Sequence, residues 1–355
     1  IGALFAPTAA VKIKEWAEMS LGFSGNDAYH FSFAVACASL ILSIAIYYIF
    51  RPTFRHVEGG KAKKGDAAAV ATEELTPEET KQRVVALCLV FAVVIFFWMA
   101  FHQNGLTLTY FAAEFTARSS EGVQSLLFNV WNLVLVIVGV YAGFSVFQSE
   151  TKKGKFASLA VLVAVIAVLV YKALNVSGSV AVSAPIFQQF NPFYVVALTP
   201  VSLAIFGALA RRKKEPSAPR KIAYGMLVAA VGFAVMAFAS VGLLTPDAQA
   251  AAGDAATFVN PNWLISTYLV LTFAELLLSP MGISFVSKVA PPKYKGLMMG
   301  GWFVATAIGN WLVSVGGFLW GGISLSVVWS VFIVLCLLSA LFMFVMMKRL
   351  ESATK

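Results

Sequence analysis

Charged residues and cysteines are scarce in this sequence of 355 residues. Only 12% of the residues are charged and 59% are hydrophobic, whereas roughly a quarter of an average soluble domain is charged. The three cysteines, Cys37, Cys88 and Cys336, lie inside apolar runs and lack the spacing of a metal site or a disulfide framework. These features exclude an ordinary soluble domain, and they predict an all-α, polytopic membrane protein.

Motifs of nucleotide and metal chemistry are also missing. The sequence has no glycine-rich phosphate loop, no HExxH pair, no Cys/His metal set and no Ser/His/Asp arrangement in one region. Nothing therefore favours ATP-driven transport or a membrane enzyme, and we expect no cofactor and no metal. A carrier driven by an ion gradient is the remaining interpretation.

Long apolar segments account for most of the chain. A helix needs roughly 20 apolar residues to cross a bilayer, and the sequence predicts about ten such spans, the first of them partial. They cover residues 1–11, 31–50, 83–115, 122–147, 155–174, 190–210, 221–244, 263–290, 296–320 and 324–347.

The basic residues follow a topological pattern. Lysine and arginine exceed the acids by 26 to 17, and they cluster in every second connection between the predicted spans. By the positive-inside rule, this alternation predicts that both ends of the chain lie in the cytoplasm. The net charge of +9 is therefore explained by the orientation of the predicted spans in a lipid bilayer, which is the expected partner. We expect no nucleic-acid partner.

The chain begins at Ile1, without a Met or a signal peptide, and IGALFAPTAAV reads as the inner part of a span already under way. We therefore expect a fragment whose N-terminal helices are missing. The predicted division is two helices of an incomplete N-terminal bundle (1–50), a cytosolic linker (51–82), the first helix of a C-terminal bundle (83–121), an inserted hairpin (122–174), the rest of that bundle (175–347) and a cytosolic tail (348–355).

One acid stands near the middle of an apolar span, in the stretch LTFAELLLSPMGISFVSK. A charge at this depth costs at least ~2.5 kcal/mol, so that Glu275 is expected to have a function. Ser279 follows one turn later on the same face. Pro280 and Gly282 are expected to loosen the backbone, as helix breakers do where they line a transporter cavity. The stretch predicts one wall of a solute site.

A second polar cluster, formed by His102, Gln103 and Asn104, interrupts another apolar span. One interpretation is a structural histidine held by hydrogen bonds between helices. An ionisable residue beside two amides within a membrane favours a functional interpretation instead. An imidazole exchanges a proton near neutral pH, which suits a proton-coupled carrier.

Two further residues are candidates from their surroundings. Asn191 precedes Pro192, so that it is expected at the start of a helix with its amide available to cap or to bind. Trp302 is a large side chain among glycines, and it either fills a gap or lines a cavity.

Other features are interpreted as structural. Asn129 and Asn132 are expected to tie helices together, and so are the small-residue pairs Gly296/Gly300 and Ala305/Gly309. The predicted outer loop 245–262, TPDAQAAAGDAATFVNPN, has no basic residue and is expected to be flexible.

Four stretches together resemble the proton-dependent oligopeptide transporter family of the major facilitator superfamily. They are IGALFAP, FFWMAFHQNG, FQQFNPFYVVALTP and, as the most specific, AELLLSPMGISFVSKVAPPKYKGLMMGGWF. The resemblance covers roughly family helices five to twelve. It implies a major-facilitator-like helical bundle in a bacterial inner membrane, and symport of di- and tripeptides with protons.

The resemblance also implies roles for single residues. Glu275 would attract the peptide amino terminus, Ser279 would line the same pocket, Asn191 would contact the peptide and Trp302 would bound a side-chain pocket. Gln103 is predicted to contact the substrate as well.

The residues predicted to couple transport to protons are His102 and Glu275. His102 stands where the family usually has a glutamate, and the family's first-helix acidic and arginine motif has no counterpart here. The alternatives are a carrier of the same fold for nitrate, a drug or an amino-acid conjugate, and a non-transporting sensor or assembly subunit.

Overall fold

The computed structural model describes residues 2–54 and 75–353, which are almost entirely helical. This confirms the predicted all-α class. The helices are α1 (Gly2–Leu21), α2 (Tyr29–Phe54), α3 (Pro77–Phe101), α4 (Thr107–Glu114), α5 (Gly122–Ser125), α6 (Val130–Gln148), α7 (Lys152–Leu174), α8 (Phe190–Arg211), α9 (Ala218–Ala239), α10 (Pro246–Ala251), α11 (Asn262–Val289), α12 (Lys295–Leu312), α13 (Ser314–Leu319), α14 (Leu325–Val345) and α15 (Met347–Ser352). Two short strands are β1 (Ser119–Glu121) and β2 (Ser179–Ala181), and 3-10 turns cover His102–Gly105, Leu126–Phe128, Ala184–Gln189, Gly253–Ala255 and Pro292–Tyr294.

Nine helical segments of the described residues are long and apolar enough to cross a membrane. They match nine of the ten predicted spans. The tenth prediction, residues 1–11, falls on the first half of α1, which begins at Gly2 and continues beyond the predicted span to Leu21. An ion pair between Lys14 and Glu18, with 2.6 Å between Nζ and Oε1, stabilises this charged second half at the helical spacing of four residues.

The chain divides into two compact units, of which the smaller is Ala6–Thr76. Within it, the Ser32 hydroxyl donates to the Ala10 carbonyl over 2.9 Å and links α2 to α1. The central part of the predicted linker lies in residues 55–74, outside the described residues.

The larger unit comprises Ile1–Phe5 and Pro77–Lys355, and its core is built on close helix pairs. A methyl group added at Gly225 of α9 would lie 3.0 Å from the Ala274 carbonyl of α11. A methyl group at Gly309 of α12 would lie 2.6 Å from the Ile95 carbonyl of α3. Both glycines therefore let two backbones approach closely, which is how small residues stabilise helix pairs in membranes.

The packing predicted for α12 is confirmed at one of its two small-residue pairs. Ala305 and Gly309 are buried at the contact with α3. Gly296 and Gly300 have no atom within 4 Å of an added methyl group, so the prediction for that pair is wrong.

Helices α6 and α7 form a hairpin, which was predicted to be an insertion, and paired strands flank it. β1 and β2 are antiparallel, and Ser119 lies opposite Ala181. Lys172 of α7 donates to the Asn132 amide oxygen of α6 over 2.7 Å, which confirms Asn132 as a link between helices. Asn129 instead accepts from the Trp131 backbone N–H and caps α6, so its predicted interhelical role is wrong.

Loop 245–262, for which flexibility was predicted, contains the short helix α10 and several side-chain hydrogen bonds. Thr245 caps α10 by accepting from the Ala248 backbone N–H over 3.3 Å. The buried Gln249 side chain then bonds to the Glu114 and Thr257 carbonyls over 2.9 and 2.8 Å. A single glutamine amide thus organises a segment whose composition is typical of a disordered linker.

Candidate solute-binding site

The candidate site is centred on Glu275, halfway along α11. α8 begins at Phe190 with Asn191 in its first turn, as predicted from the following proline. The Asn191 amide donates to Glu275 Oε2 over 3.0 Å and to Thr272 Oγ1 over 3.1 Å. The structure thus brings together two predicted site residues that are 84 positions apart in the sequence.

Glu275 has no ionic partner among the described residues, whose ion pairs all lie elsewhere. The protein donates no hydrogen bond to its Oε1 within residues 2–54 and 75–353. The residue is partly exposed. A carboxylate oriented by an amide but not neutralised by a protein cation is suited to bind an ammonium group.

A polar track extends from this carboxylate toward the His102–Gly105 turn. Tyr268 lies on the same face of α11 as Glu275, and its hydroxyl donates to the Asn104 carbonyl over 2.9 Å. Thr109 donates to the same carbonyl over 3.1 Å and accepts from the Gln188 amide over 3.2 Å. The track joins the α3–α4 junction, the start of α8 and the middle of α11.

Ser279 and Trp302 lie on the cytosolic side of Glu275 by the predicted topology. Ser279 is partly buried and makes no side-chain hydrogen bond in the part of the chain that the structure describes. The Trp302 ring of α12 is 2% exposed and packs on Gly282 of α11, where an added methyl group would lie 1.9 Å from the ring. Trp302 therefore fills a gap between two helices.

The backbone of α11 does not break at Pro280, contrary to the expectation that Pro280 and Gly282 loosen it. The helix is continuous from Asn262 to Val289. Proline removes only the N–H that would bond the carbonyl four residues earlier, and packing of the surrounding helices retains the turn. Gly282 provides space for a neighbouring ring.

Gln103 is fully buried, and protein groups occupy its amide. Its nitrogen donates to the Met99 and Val313 carbonyls over 3.1 and 3.0 Å, and its oxygen accepts from Thr107 over 2.9 Å. The amide joins α3 to the α12–α13 junction. This geometry lends no support to the substrate contact predicted for Gln103.

His102 is held between α3 and α12. Its Nδ1 lies 2.5 Å from the Asn310 side-chain oxygen, and its ring stacks on Trp98 with 4.8 Å between the ring centroids. Because the amide oxygen only accepts, Nδ1 carries hydrogen in this arrangement and Nε2 is the nitrogen left to take up a proton. The partner of His102 is thus an amide of the facing helix.

Glu275 lines neither of two sizeable cavities of the described structure. One cavity, of about 690 Å³, lies between α3 and α14 and is bordered by aliphatic and phenylalanine side chains with two serines. It has no titratable group and matches hydrocarbon better than a polar solute. The other cavity lies beside loop 245–262 and is discussed below.

Thr272 and Tyr268 are site residues that the sequence interpretation missed. Both precede Glu275 on one helical face, by three and seven residues, and both are buried. Their helical spacing from the acid could have identified both residues in the sequence. The contact between Tyr268 and the Asn104 backbone could not have been identified in this way, because it depends on how two distant helices pack.

A family model described as the POT family matches residues 167–317, which include Asn191, Glu275, Ser279 and Trp302. The chain is 40% identical over 124 residues to peptide transporter YePEPT of Yersinia enterocolitica and 29% identical over 128 residues to dipeptide and tripeptide permease B of Xenorhabdus bovienii. These stretches are 35% and 36% of this chain and 23% and 24% of the relatives. A longer match, 24% identical over 295 residues, is to the transporter YclF of Bacillus subtilis and covers 79% of this chain and 52% of that protein. The chain thus spans between about a quarter and half the length of these relatives.

Solved structures support the fold. A mutant of peptide transporter POT in complex with alafosfalin superposes with a TM-score of 0.63 at 18% identity, covering 99% of this chain and 66% of that one. A bacterial homologue of the human drug peptide transporters superposes with a TM-score of 0.57 at 16% identity, covering 99% and 68%. The major-facilitator fold of a multi-pass membrane protein is thereby confirmed, and the relatives are named as transporters and not as enzymes. The sequence and fold comparisons agree with the resemblance predicted from the four motifs, and residues 167–317 of this chain are similar to the POT family.

Proposed function

We propose that this protein transports di- and tripeptides together with protons across the bacterial cytoplasmic membrane. The observation that carries the proposal is the Glu275 carboxylate, which lies within an apolar helix, bonds to the Asn191 amide and has no ionic partner among the described residues. Retaining such a charge in a membrane is costly. A solute with a cationic end offsets that cost when it binds.

In this proposal Glu275 binds the peptide amino terminus. Asn191 donates both to Glu275 and to Thr272, so its amide oxygen remains to accept from a peptide N–H. Ser279 offers a hydroxyl one turn further along α11, and Trp302 forms a rigid wall behind that turn. The names of the relatives, which include a peptide transporter and a dipeptide and tripeptide permease, support the choice of solute.

We assign proton coupling to His102, with Glu275 as the second site. Nε2 of His102 takes up the proton while Nδ1 holds Asn310 of α12, so that protonation changes the charge at a contact between two helices. A change of charge at such a contact biases the equilibrium between two packings of the helices. The proposed orientation, with both ends of the given chain in the cytoplasm, follows from the alternating basic connections.

Uptake measurements test the proposal. The protein produced from its complete reading frame would be reconstituted into liposomes with an inward proton gradient and supplied with labelled alanyl-alanine. We expect gradient-dependent accumulation that unlabelled di- and tripeptides suppress. Uptake of nitrate, a drug or an amino-acid conjugate that a dipeptide panel leaves unchanged would favour the alternative carrier. Absence of any uptake and of any thermal shift with peptides would favour a non-transporting subunit.

A further inference from the structure

The polar cavity beside loop 245–262 lies at the end of α11 that is opposite to the predicted cytosolic connection. Its volume is about 680 Å³, and it lies between the end of α4 and loop 245–262. Ligand pockets span about 300–1,000 Å³. Glu275 lies 13 residues after the start of α11 at Asn262, which corresponds to ~20 Å along a helix axis. The cavity is thus separate from the Glu275 site.

The walls of this cavity are connected by hydrogen bonds. The Val259 backbone N–H donates to the Phe115 carbonyl over 2.8 Å, which joins the loop to the end of α4. Gln249, which is 6% exposed, donates to the Glu114 and Thr257 carbonyls, and its oxygen accepts from the Thr257 backbone N–H over 3.1 Å. The cavity is therefore pre-formed, and a ligand would not have to order the loop first.

The lining of the cavity carries charges of both signs. The Glu114 carboxylate accepts from the Trp320 indole N–H, with 3.0 and 3.3 Å to its two oxygens, and lone pairs remain on both. The Arg118 guanidinium lies 5.8 Å from the centre of the Phe258 ring, and Asp254 is exposed on the loop. Within the described ranges, none of these three charged groups has an ion-pair partner.

We propose that this cavity is an outer binding site for small zwitterions that carry both an ammonium and a carboxylate group. Arg118 receives the ligand carboxylate, because its planar donor fork matches that group. Glu114 and Asp254 receive the ammonium. The assignment of zwitterionic peptides as the ligand rests on the proposed function, and the site collects them before they reach Glu275.

Equilibrium dialysis of the purified complete protein with labelled alanyl-alanine tests this site in a Glu275→Gln background. We expect the Glu275→Gln protein to retain one class of weaker binding. Adding Arg118→Gln should weaken that binding about tenfold or more, as expected for the loss of a charged hydrogen bond. Adding Asp254→Asn should weaken it in the same direction, and adding Lys12→Gln, which removes another exposed cation, should leave it unchanged.

A dipeptide blocked at both ends, N-acetyl-alanyl-alanine amide, provides a ligand control and should not compete for the retained binding. The proposal is overturned if the Glu275→Gln protein binds no peptide, if Arg118→Gln leaves its binding unchanged, or if the blocked dipeptide competes equally. Each of these results leaves the central site intact. Failure of the proposed function would instead appear as absent uptake by the parent protein, which the dialysis does not measure.

Discussion

Helices α11 and α7 are both long and apolar, but they differ in what surrounds them. In α7 only Val165 is buried, and aliphatic side chains face outward along most of its length. In α11 nearly half of the residues are buried, and one face carries Tyr268, Thr272 and Glu275. Lipid tails can cover an aliphatic helix, but a face with a phenol, a hydroxyl and a carboxylate needs protein or solute partners.

The polar contacts of the two helices differ in the same way. Lys172 of α7 bonds to Asn132 within its own hairpin, so that the cation is used for internal packing. Glu275 of α11 bonds to an amide of another helix and has no cation beside it in the described part of the chain. The comparison indicates that a membrane-embedded charge is functional when no protein group of opposite charge contacts it. The substitutions below test this difference.

The largest expected effect is that of Glu275→Gln on peptide uptake. We expect uptake to fall at least ~30-fold, because removing one partner of a buried charge pair costs about 2–5 kcal/mol. Asn191 can still bond to the new amide oxygen, so that the helix contact is retained. Glu150→Gln, an identical change at an exposed position between α6 and α7, is the matched control and should transport like the parent. Equal uptake by the Glu275→Gln and Glu150→Gln proteins would remove Glu275 from the site.

The next effect concerns the packing of α11. Gly282→Ala places a methyl group 1.9 Å from the buried Trp302 ring, and we expect a loss of about 3 kcal/mol in stability, the upper part of the usual range for overpacking. Thermal unfolding in detergent measures it. Gly300→Ala on α12 meets no atom within 4 Å and should be neutral or slightly stabilising. Melting of the Gly282→Ala protein at the parent temperature would show that α11 and α12 can separate at no cost.

The sequence was sufficient to predict the helices, because length and apolar composition decide which segments cross a membrane. Nine spans and the start of α8 beside Asn191 are confirmed. The extent of α1 was not predictable from apolar residues, because the Lys14–Glu18 pair stabilises its charged half. The conformation of loop 245–262 depends on Gln249, one of whose partners, Glu114, lies 135 positions earlier in the sequence.

The candidate site was predictable only in part. Glu275 stands out as an acid in an apolar run, and the structure pairs it with Asn191, which was also predicted. Gln103 has the same apparent signal, a polar residue in an apolar span, but backbone carbonyls and Thr107 occupy its amide. Sequence pattern identifies polar residues within a membrane, but only packing distinguishes an amide that holds helices together from one that is available to a solute.

A smaller effect, on pH dependence alone, is expected for His102→Gln. Uptake by the parent should vary between about pH 5 and pH 8, where an imidazole titrates, and this variation should disappear in the variant. The other groups against the ring are Trp98, Phe101 and Asn310, none of which titrates in this range. Glutamine can still bond across to Asn310, so that binding of peptide should be retained. His30→Gln, at an exposed histidine, is the control, and an unchanged pH profile of the His102→Gln protein would exclude His102 from coupling.

The smallest effect is expected in the hairpin, with Lys172→Met. The substitution removes the charged donor to Asn132, which is 4% exposed, and should cost about 1.5 kcal/mol of stability, the lower end of the range for a hydrogen bond to a charged group. Uptake should stay within about twofold of the parent, because a difference of this size in stability leaves the folded population almost complete. Lys155→Met, at an exposed lysine of the same helix, should change neither quantity. If Lys172→Met reduced uptake as strongly as Glu275→Gln, the hairpin would belong to the transport pathway and the distinction between α7 and α11 would fail, because an internally paired cation would then be as functional as an unpaired acid.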